Sequence, residues 1–202
     1  MIIDEVMAAA PVIPVLVLND EHDPAELAAT LVEAGLPVLE VTLRTPGALD
    51  AVRAMSRVPG ALVGAGTVLN ERQLGDAQQA GARFIVAPGL TEPLTRSAAA
   101  SGVAYLPGVA TAGDIMRGLD LGLSRFKFFP AEAAGGLPAL RALAGPFGDI
   151  RFCPTGGITE ATASAWLDEP AVTCIGGSWL VRPGMTLEAI SAAGRRAAAL
   201  RR

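Results

Sequence analysis

The most informative stretch of the chain reads Arg125-Phe126-Lys127-Phe128-Phe129-Pro130-Ala131 and sets the only lysine of the protein among three phenylalanines. Because the side chains of a strand alternate between its two faces, Phe126 and Phe128 point one way while Lys127 and Phe129 point the other. We expect the first face to pack against helices and the second to line an enclosed interior. A buried amine is costly when charged, and it becomes a nucleophile suited to Schiff-base chemistry when it releases its proton. The alternative is an edge-strand lysine whose head group reaches water.

Apolar segments of this kind recur along the chain, each followed by a turn and then by an Ala- and Leu-rich segment typical of a helix. A short helix is predicted over residues 2–10. Eight strands are predicted after it, at 12–18, 38–44, 62–68, 84–88, 104–109, 125–130, 151–155 and 172–176. Helix N-caps are expected at Asp23, Asn70, Thr91, Thr111 and Thr159.

Strict alternation of strands and helices predicts parallel strands joined by right-handed crossovers. Eight such units either close into a barrel or form an open doubly wound sheet. An open sheet that binds a dinucleotide usually has a glycine-rich turn after its first strand, and here that turn reads Asn19-Asp20-Glu21. We therefore predict an α/β fold, a (β/α)8 TIM barrel with a short N-terminal helix, formed by residues 1–202 as a single domain.

The composition favours an α/β protein with a large core, because 51% of the residues are hydrophobic and 18% are charged. A net charge of −4, with no basic run except the C-terminal arginines, predicts no nucleic-acid partner. No apolar run reaches the ~20 residues of a membrane span, and the N-terminus lacks the basic region of a signal peptide. We expect a cytoplasmic protein without a membrane partner, in which Cys153 and Cys174 are buried free thiols.

The second predicted strand alternates apolar and polar side chains between residues 38 and 44. If its apolar residues face the helices, Glu40, Thr42 and Arg44 face the interior. A carboxylate and a guanidinium are costly in an interior unless they pair or serve a function. Two interpretations stay open at this point, a structural Glu40–Arg44 ion pair and a functional pair of side chains.

The ends of four other strands also carry candidate site residues, because the active site of such a barrel forms at the carboxyl ends of its strands. The third strand ends at Thr67, and the fourth ends at Pro88 in a rigid turn. The seventh and eighth strands end with the glycine pairs Gly156-Gly157 and Gly176-Gly177, and Ser178 follows the second pair. Paired glycines expose backbone N–H groups, and the loops after strands seven and eight often bind phosphate.

Metal ligands are scarce in the sequence. The one histidine, His22, lies in an acidic turn and is interpreted as a solvated surface residue. We therefore predict a site without a metal or other cofactor, containing a lysine, a carboxylate, an arginine and a phosphate-binding loop. Such a set suits carbonyl chemistry through an iminium on Lys127.

Six motifs, in this order and over nearly the whole chain, resemble those of the bacterial 2-keto-3-deoxy-6-phosphogluconate aldolase and 4-hydroxy-2-oxoglutarate aldolase family. They are LEVTLRT at 39–45, VGAGTVLN at 63–70, PGLT at 88–91, FKFFPAE at 126–132, RFCPTGGI at 151–158 and CIGGSW at 174–179. The resemblance implies a class I aldolase, a homotrimer of barrels that works in the Entner-Doudoroff pathway of carbohydrate metabolism.

The resemblance also implies a role for each matching residue. Lys127 would form the Schiff base and Glu40 would be the general acid and base. Arg44 and Thr67 would hold the carboxylate of the pyruvate portion. The other substrate-binding residues would be Pro88, Phe129 and Thr155 in the pocket and Gly156, Gly157, Gly177 and Ser178 at the phosphate end.

The implied reaction is the reversible cleavage of 2-keto-3-deoxy-6-phosphogluconate (KDPG) to pyruvate and D-glyceraldehyde 3-phosphate. Alternatives are 4-hydroxy-2-oxoglutarate (KHG) as the main substrate, cleaved to pyruvate and glyoxylate, or a non-catalytic barrel that binds a phosphorylated ligand. The chain departs from the family's pattern at two places. Ala87 stands where many relatives have serine, and Asn19-Asp20-Glu21 replaces a commonly basic turn and adds negative charge near one end of the barrel.

Overall fold

A computed structural model describes residues 2–19 and 21–200 as an alternation of strands and helices. The strands are β1 Val12–Leu16, β2 Val38–Thr42, β3 Leu62–Gly66, β4 Phe84–Val86, β5 Ala104–Leu106, β6 Gly108–Val109, β7 Arg125–Phe128, β8 Arg151–Pro154 and β9 Ile175–Gly177. The helices are α1 Ile3–Ala8, α2 Pro24–Glu33, α3 Ala48–Met55, α4 Glu71–Gln79, α5 Glu92–Ser101, α6 Ala112–Asp120, α7 Gly136–Ala144, α8 Ala163–Leu167 and α9 Leu187–Ala198. Among the described helices, none is long and apolar enough to cross a membrane.

The strands pair in parallel, as the alternation of strands and helices predicts. Six of them form a sheet in the order β5-β4-β3-β2-β1-β9, and three form a sheet in the order β6-β7-β8. Isolated bridges between Phe152 and Val172 and between Thr155 and Gly176 link the β8 region to the β9 region. The architecture is therefore an α/β fold built on a curled parallel sheet.

Six predicted strands begin at the observed residue and run one or two residues past the observed end, and the other two differ more. The segment 104–109 is divided at Pro107, because proline has no N–H to donate to a strand ladder. The segment 172–176 begins too early, since the N–H of Val172 closes a turn on the carbonyl of Glu169 and regular pairing starts at Ile175. The first helix is also shorter than predicted at both ends, as helix boundaries commonly are.

Three of the predicted N-caps hold their helices as expected. Asp23 accepts hydrogen bonds from two N–H groups of α2, Asn70 accepts one from α4, and Thr111 caps α6. Thr91 stands at the N-cap position of α5 without a side-chain bond to the helix. The prediction at Thr159 is wrong, because α8 begins only after Thr162, whose hydroxyl accepts the N–H of Thr159.

The buried side chains of the strands form two clusters, one on each face of the sheet. The larger cluster contains Leu39, Val41, Phe126 and Phe128 together with the inner faces of the helices. The smaller cluster contains strand residues at the alternate positions, such as Val38, and two buried residues of α1. Glu40 and Lys127 lie at the same alternate positions of their own strands, so the period-two pattern places both side chains on the face away from the outer helices.

Candidate active site

Lys127 and Glu40 form a salt bridge inside the fold, on strands β7 and β2. The Nζ atom of Lys127 lies 3.0 Å from Oε1 and 3.4 Å from Oε2 of Glu40. The residues are 5% and 4% exposed, and β7 lies between β6 and β8, so the edge-strand interpretation of Lys127 is wrong. A buried and hydrogen-bonded ion pair of this kind can transfer a proton directly from the amine to the carboxylate.

Gly66 leaves the space that the Glu40 carboxylate occupies. A Cβ atom added at Gly66 would lie 2.7 Å from Cγ of Glu40 and would overlap Oε1 as well. Any larger residue at the end of β3 would therefore displace the carboxylate from Lys127. The glycines around Ala65 in the third predicted strand were the sequence signal for this open space.

The ring of Phe129 lies beside the amine. Its centroid is 5.4 Å from Nζ of Lys127, within the range of a cation–π interaction. Phe129 is partly buried and follows the last residue of β7, so its ring borders the site on the carboxyl side of the strand. A positive charge on this nitrogen is thus stabilised by a carboxylate on one side and by an aromatic ring nearby.

Arg44 is placed differently from the prediction. Strand β2 ends at Thr42, the N–H of Arg44 donates to the carbonyl of Thr42 at 2.8 Å, and Arg44 is exposed. No Glu40–Arg44 salt bridge is found among the described residues, because Glu40 pairs with Lys127. The expectation that Arg44 faces the interior, and the ion pair that depended on it, are therefore wrong: the chain turns before Arg44 can continue the strand alternation.

Arg44 instead contacts Thr67, with its Nε donating to Oγ1 at 3.2 Å. Thr67 has φ 58°, a left-handed conformation that costs a β-branched residue about 1–3 kcal/mol. Hydrogen bonds of the flanking residues hold this backbone in place, from Leu43 to the carbonyl of Gly66 and from Val68 to that of Val86. Such strain is typical of functional positions, and here it brings a hydroxyl and a guanidinium together.

The predicted residues after β4 and β8 lie at the same carboxyl ends of the strands. The carbonyl of Pro88 packs so closely on Gly108 that a Cβ at Gly108 would overlap it. Thr155 is 5% exposed, and a Cβ at Gly176 would lie 2.7 Å from its Cγ2. Glycines on neighbouring strands therefore make room for both residues.

The glycine pairs at the predicted phosphate end differ in exposure. Gly156 and Gly157 have φ values of 105° and 82°, which favour glycine. Their N–H groups make no hydrogen bond to the described protein atoms. Gly177 is buried against Trp179, and Ser178 is exposed. This arrangement of unpaired backbone donors is suited to an anion.

Sequence reasoning missed how the loop after β1 is held. His22 is partly buried and its Nε2 donates to the carbonyl of Met185 at 2.8 Å, so the interpretation as a solvated histidine is wrong. The carboxylate of Glu21 accepts the N–H of Gly184 at 2.8 Å. The Glu21 carboxylate of the Asn19–Glu21 turn thus anchors the loop after β9. Asp20 lies outside the described residues.

The thiols and potential metal ligands add no further centre. Cys153 and Cys174 are both buried and outside any disulfide, as predicted. Within residues 2–19 and 21–200, no group of three or more His, Cys, Asp or Glu residues is arranged to hold a metal ion. The described chemistry of the site therefore comes from the Lys127–Glu40 pair and its neighbours.

Known proteins resemble this chain over almost its full length. The KDPG and KHG aldolase family model matches residues 3–192. A 2-dehydro-3-deoxy-phosphogluconate aldolase of Zymomonas mobilis is 56% identical over 99% of this chain and 97% of its own. A crystal structure of the Zymomonas mobilis ZM4 enzyme with 3-phosphoglycerate, 56% identical, covers 99% of this chain and 96% of its own with a TM-score of 0.97. The KDPG aldolase of Legionella pneumophila, 42% identical, was captured with pyruvate as a covalent carbinolamine; it covers 96% of this chain and 97% of its own with a TM-score of 0.90.

Proposed function

The chain belongs to the KDPG and KHG aldolase family, and from this premise we propose that it is a class I aldolase that cleaves KDPG reversibly to pyruvate and D-glyceraldehyde 3-phosphate. The observation that carries the proposal is the buried amine of Lys127, 3.0 Å from the carboxylate of Glu40. A non-catalytic ligand-binding barrel has no need of that pair, since a buried ion pair is costly to keep.

The first half of the reaction forms a covalent bond between Lys127 and the substrate. Lys127 passes a proton to Glu40 across their hydrogen bond, and its neutral nitrogen attacks the C2 carbonyl to give a carbinolamine. Loss of the C2 oxygen as water, with a proton returned from Glu40, leaves an iminium. The Legionella relative supports this step, because its pyruvate adduct is a carbinolamine.

The second half breaks the C3–C4 bond. Glu40, directly or through one water, takes the proton of the C4 hydroxyl as the bonding electrons move to the iminium, and D-glyceraldehyde 3-phosphate leaves. The enamine is then protonated at C3, and water releases pyruvate from Lys127. The ring of Phe129 and the carboxylate of Glu40 favour the positive charge of the iminium. Each step uses only Lys127, Glu40 and water, so we propose that no metal or other cofactor is required.

The two ends of the substrate are assigned to opposite sides of this amine. Arg44 and Thr67 bind the carboxylate of the pyruvate portion, which is supported by their contact and by the strained backbone of Thr67. Pro88 and Thr155 line the pocket. The phosphate binds to Gly156, Gly157, Gly177 and Ser178, which is supported by the unpaired N–H groups of the first pair and by the 3-phosphoglycerate bound to the Zymomonas relative.

The finer architecture is part of the same proposal. A single residue, Pro107, separates β5 from β6, and the Thr155–Gly176 bridge joins β8 to β9. We infer that the two sheets close into an eight-stranded barrel, one domain over residues 1–202. Assembly into a homotrimer, a cytoplasmic location and a role in the Entner-Doudoroff pathway stay predictions. Large exposed apolar side chains such as Met116 and Leu119 on α6 are available for a subunit contact.

A second substrate is supported by the family itself, whose model covers both KDPG and KHG aldolases. KHG presents the same 2-keto acid to Lys127 and ends in a carboxylate at C5 instead of a phosphate on C6, so it does not require the phosphate-binding end. The test is pyruvate release from each substrate by the wild type and by Lys127→Met. Release from KDPG by the wild type alone supports the proposal, and an active Lys127→Met variant contradicts the Schiff base.

A further inference from the structure

The loops after β7 and β8 are joined by backbone contacts that the reaction steps do not use. The N–H of Ala131 donates to the carbonyl of Thr155 at 2.8 Å, and the N–H of Glu132 donates to that of Gly156 at 3.0 Å. These bonds continue the pairing of the two strands beyond their ends. The position of Glu132 therefore determines where the first glycine pair lies.

The side chain of Glu132 lies directly against Gly157. A Cβ atom added at Gly157 would lie 2.7 Å from Cβ and 2.8 Å from Cγ of Glu132, closer than carbon atoms pack. The aliphatic part of the glutamate thus supports the backbone of the loop from behind. The free N–H groups of Gly156 and Gly157 keep their direction only while this support stays in place.

Trp166 holds the other end of Glu132. Its indole Nε1 donates to Oε1 of Glu132 at 3.0 Å. Trp166 is 1% exposed and packs on the ring of Phe128 with centroids 6.3 Å apart, so the donor is fixed within the core. An exposed glutamate without this bond would exchange between rotamers, and its stem would leave Gly157.

The bond also directs a negative charge. Glu132 forms no salt bridge in the part of the chain that the structure describes, so the indole N–H is the side-chain anchor found for its carboxylate. A carboxylate that swung over the glycine pair would repel a bound phosphate. Fastening it to α8 keeps the loop available to an anion.

Resting on the proposed function, we propose that Glu132 and Trp166 are positioning residues for the phosphate end of the substrate. Trp166 fixes the glutamate, and the glutamate holds the Gly156–Gly157 backbone in its anion-binding form. The pair acts on phosphate recognition and leaves the chemistry at Lys127 unchanged.

The test compares substrates with and without phosphate. Trp166→Phe keeps a smaller aromatic ring in the core and removes the donor, and we expect it to raise KM for KDPG about fivefold, the effect of one lost hydrogen bond. Its kcat for KDPG and its KM for KHG should stay within about twofold of the wild type. Glu132→Ala should show the same split more strongly, whereas Glu132→Gln, which still accepts from the indole, should stay near the wild type.

Ser56→Ala is the matched control, because it removes a partly buried side-chain hydrogen bond, to the carbonyl of Gly81, away from the carboxyl ends of the strands. It should leave both KM values unchanged. Equal losses for KDPG and KHG in Trp166→Phe would show a general structural role and overturn the proposal. So would a Glu132→Gln variant as impaired as Glu132→Ala.

Calorimetric titration with inorganic phosphate separates this proposal from the proposed function, because it requires no turnover. The variants that lose KDPG affinity should bind phosphate about fivefold more weakly than the wild type, and unchanged phosphate affinity overturns the positioning role. If Trp166→Phe is too unstable for kinetics, Glu132→Ala can be titrated with phosphate in its place. A wild type without aldolase activity would refute the proposed function alone.

Discussion

Lys127 and Glu40 belong to different hydrogen-bonded sheets, yet the amine of one lies 3.0 Å from the carboxylate of the other. They are 87 residues apart in sequence and meet because each lies on the face of its strand that points to the interior. The contact supplies a nucleophile and its proton acceptor in one hydrogen bond.

Trapping should identify Lys127 as the Schiff-base residue. Pyruvate with borohydride should add a three-carbon group to the protein, because reduction makes the iminium bond permanent. Lys127 is the only lysine in the chain, so the N-terminal amine is the only competing primary amine. Peptide mass spectrometry locates the adduct, with Lys127→Met and a sample without pyruvate as controls. An unmodified Lys127 in an active, borohydride-treated enzyme would contradict the mechanism.

Replacing Glu40 with glutamine should slow turnover by roughly 10²–10⁴-fold, because proton transfer by a positioned side chain contributes about this factor. Glutamine keeps the volume but removes the counter-charge of the buried Lys127 ammonium, so the thermal midpoint should fall while the fold is kept. The measurement is kcat for KDPG, with circular dichroism to confirm folding. Near-normal turnover would assign the proton transfers to another group.

Gly66→Ala should lower kcat about 100-fold although it replaces neither catalytic residue. The new methyl group would overlap the Glu40 carboxylate, and a displacement of ~1 Å in a reacting group can cost this much. The matched control is Gly75→Ala in α4, where an added Cβ meets nothing within 4 Å and should stabilise the helix by about 1 kcal/mol. Full activity in Gly66→Ala would show that the carboxylate position is not critical.

Tyr105, the only tyrosine, offers a test of the core by pH titration. Burial raises the pKa of Tyr105 to about 12, against a smaller lowering effect of the Thr95 hydroxyl. The neutral phenol is therefore favoured in the folded state, and this contribution to stability is complete below pH ~10 and lost as the pH rises to about 12. Ultraviolet absorbance should show phenolate only near that pH in the folded protein, and near pH ~10 in urea.

Tyr105→Phe is the companion variant, because the phenol oxygen is buried and unpaired among the described residues: the nearby Thr95 hydroxyl donates instead to the carbonyl of Thr91 at 2.8 Å. Removing an unpaired polar atom should leave the thermal midpoint unchanged or raise it, and should weaken the alkaline loss of stability. A clear drop in the midpoint, or titration of the folded wild type near pH ~10, would show that the hydroxyl is solvated or paired.

The parts of the site that sequence could predict are those set by period and position. Strand alternation was enough to put Lys127 and Glu40 in the interior, whereas the anion site that glycine pairs at two strand ends indicate stays a prediction. Arg44 was misplaced because its strand ends two residues before it, a boundary that alternation cannot locate.

Contacts between a loop and a distant part of the chain left no such pattern. The bond from Trp166 to Glu132 spans 34 residues, and that from His22 to Met185 spans 163. Each depends on how a loop after one strand meets a distant helix or loop, which local propensity does not determine. The division of the fifth strand has a different cause: the apolar run around Pro107 predicts one continuous strand, but the missing N–H of Pro107 interrupts the ladder.

Ser178→Asp should separate the two substrates at the phosphate end. Ser178 is exposed directly after β9, and a carboxylate there would repel the phosphate of KDPG. We expect kcat/KM for KDPG to fall roughly tenfold or more, and kcat/KM for KHG to stay within about twofold.

Two variants control for charge and for loss of the hydroxyl. Gln79→Glu adds the same charge at the exposed end of α4. This position precedes β4 and so lies at the amino ends of the strands, away from the site, and the variant should leave kcat/KM unchanged for both substrates. Ser178→Ala should lower kcat/KM for KDPG less than Ser178→Asp does. If Ser178→Asp lowers kcat/KM equally for both substrates, the phosphate does not bind at the end of β9, and the assignment of Gly177 and Ser178 to the phosphate is wrong.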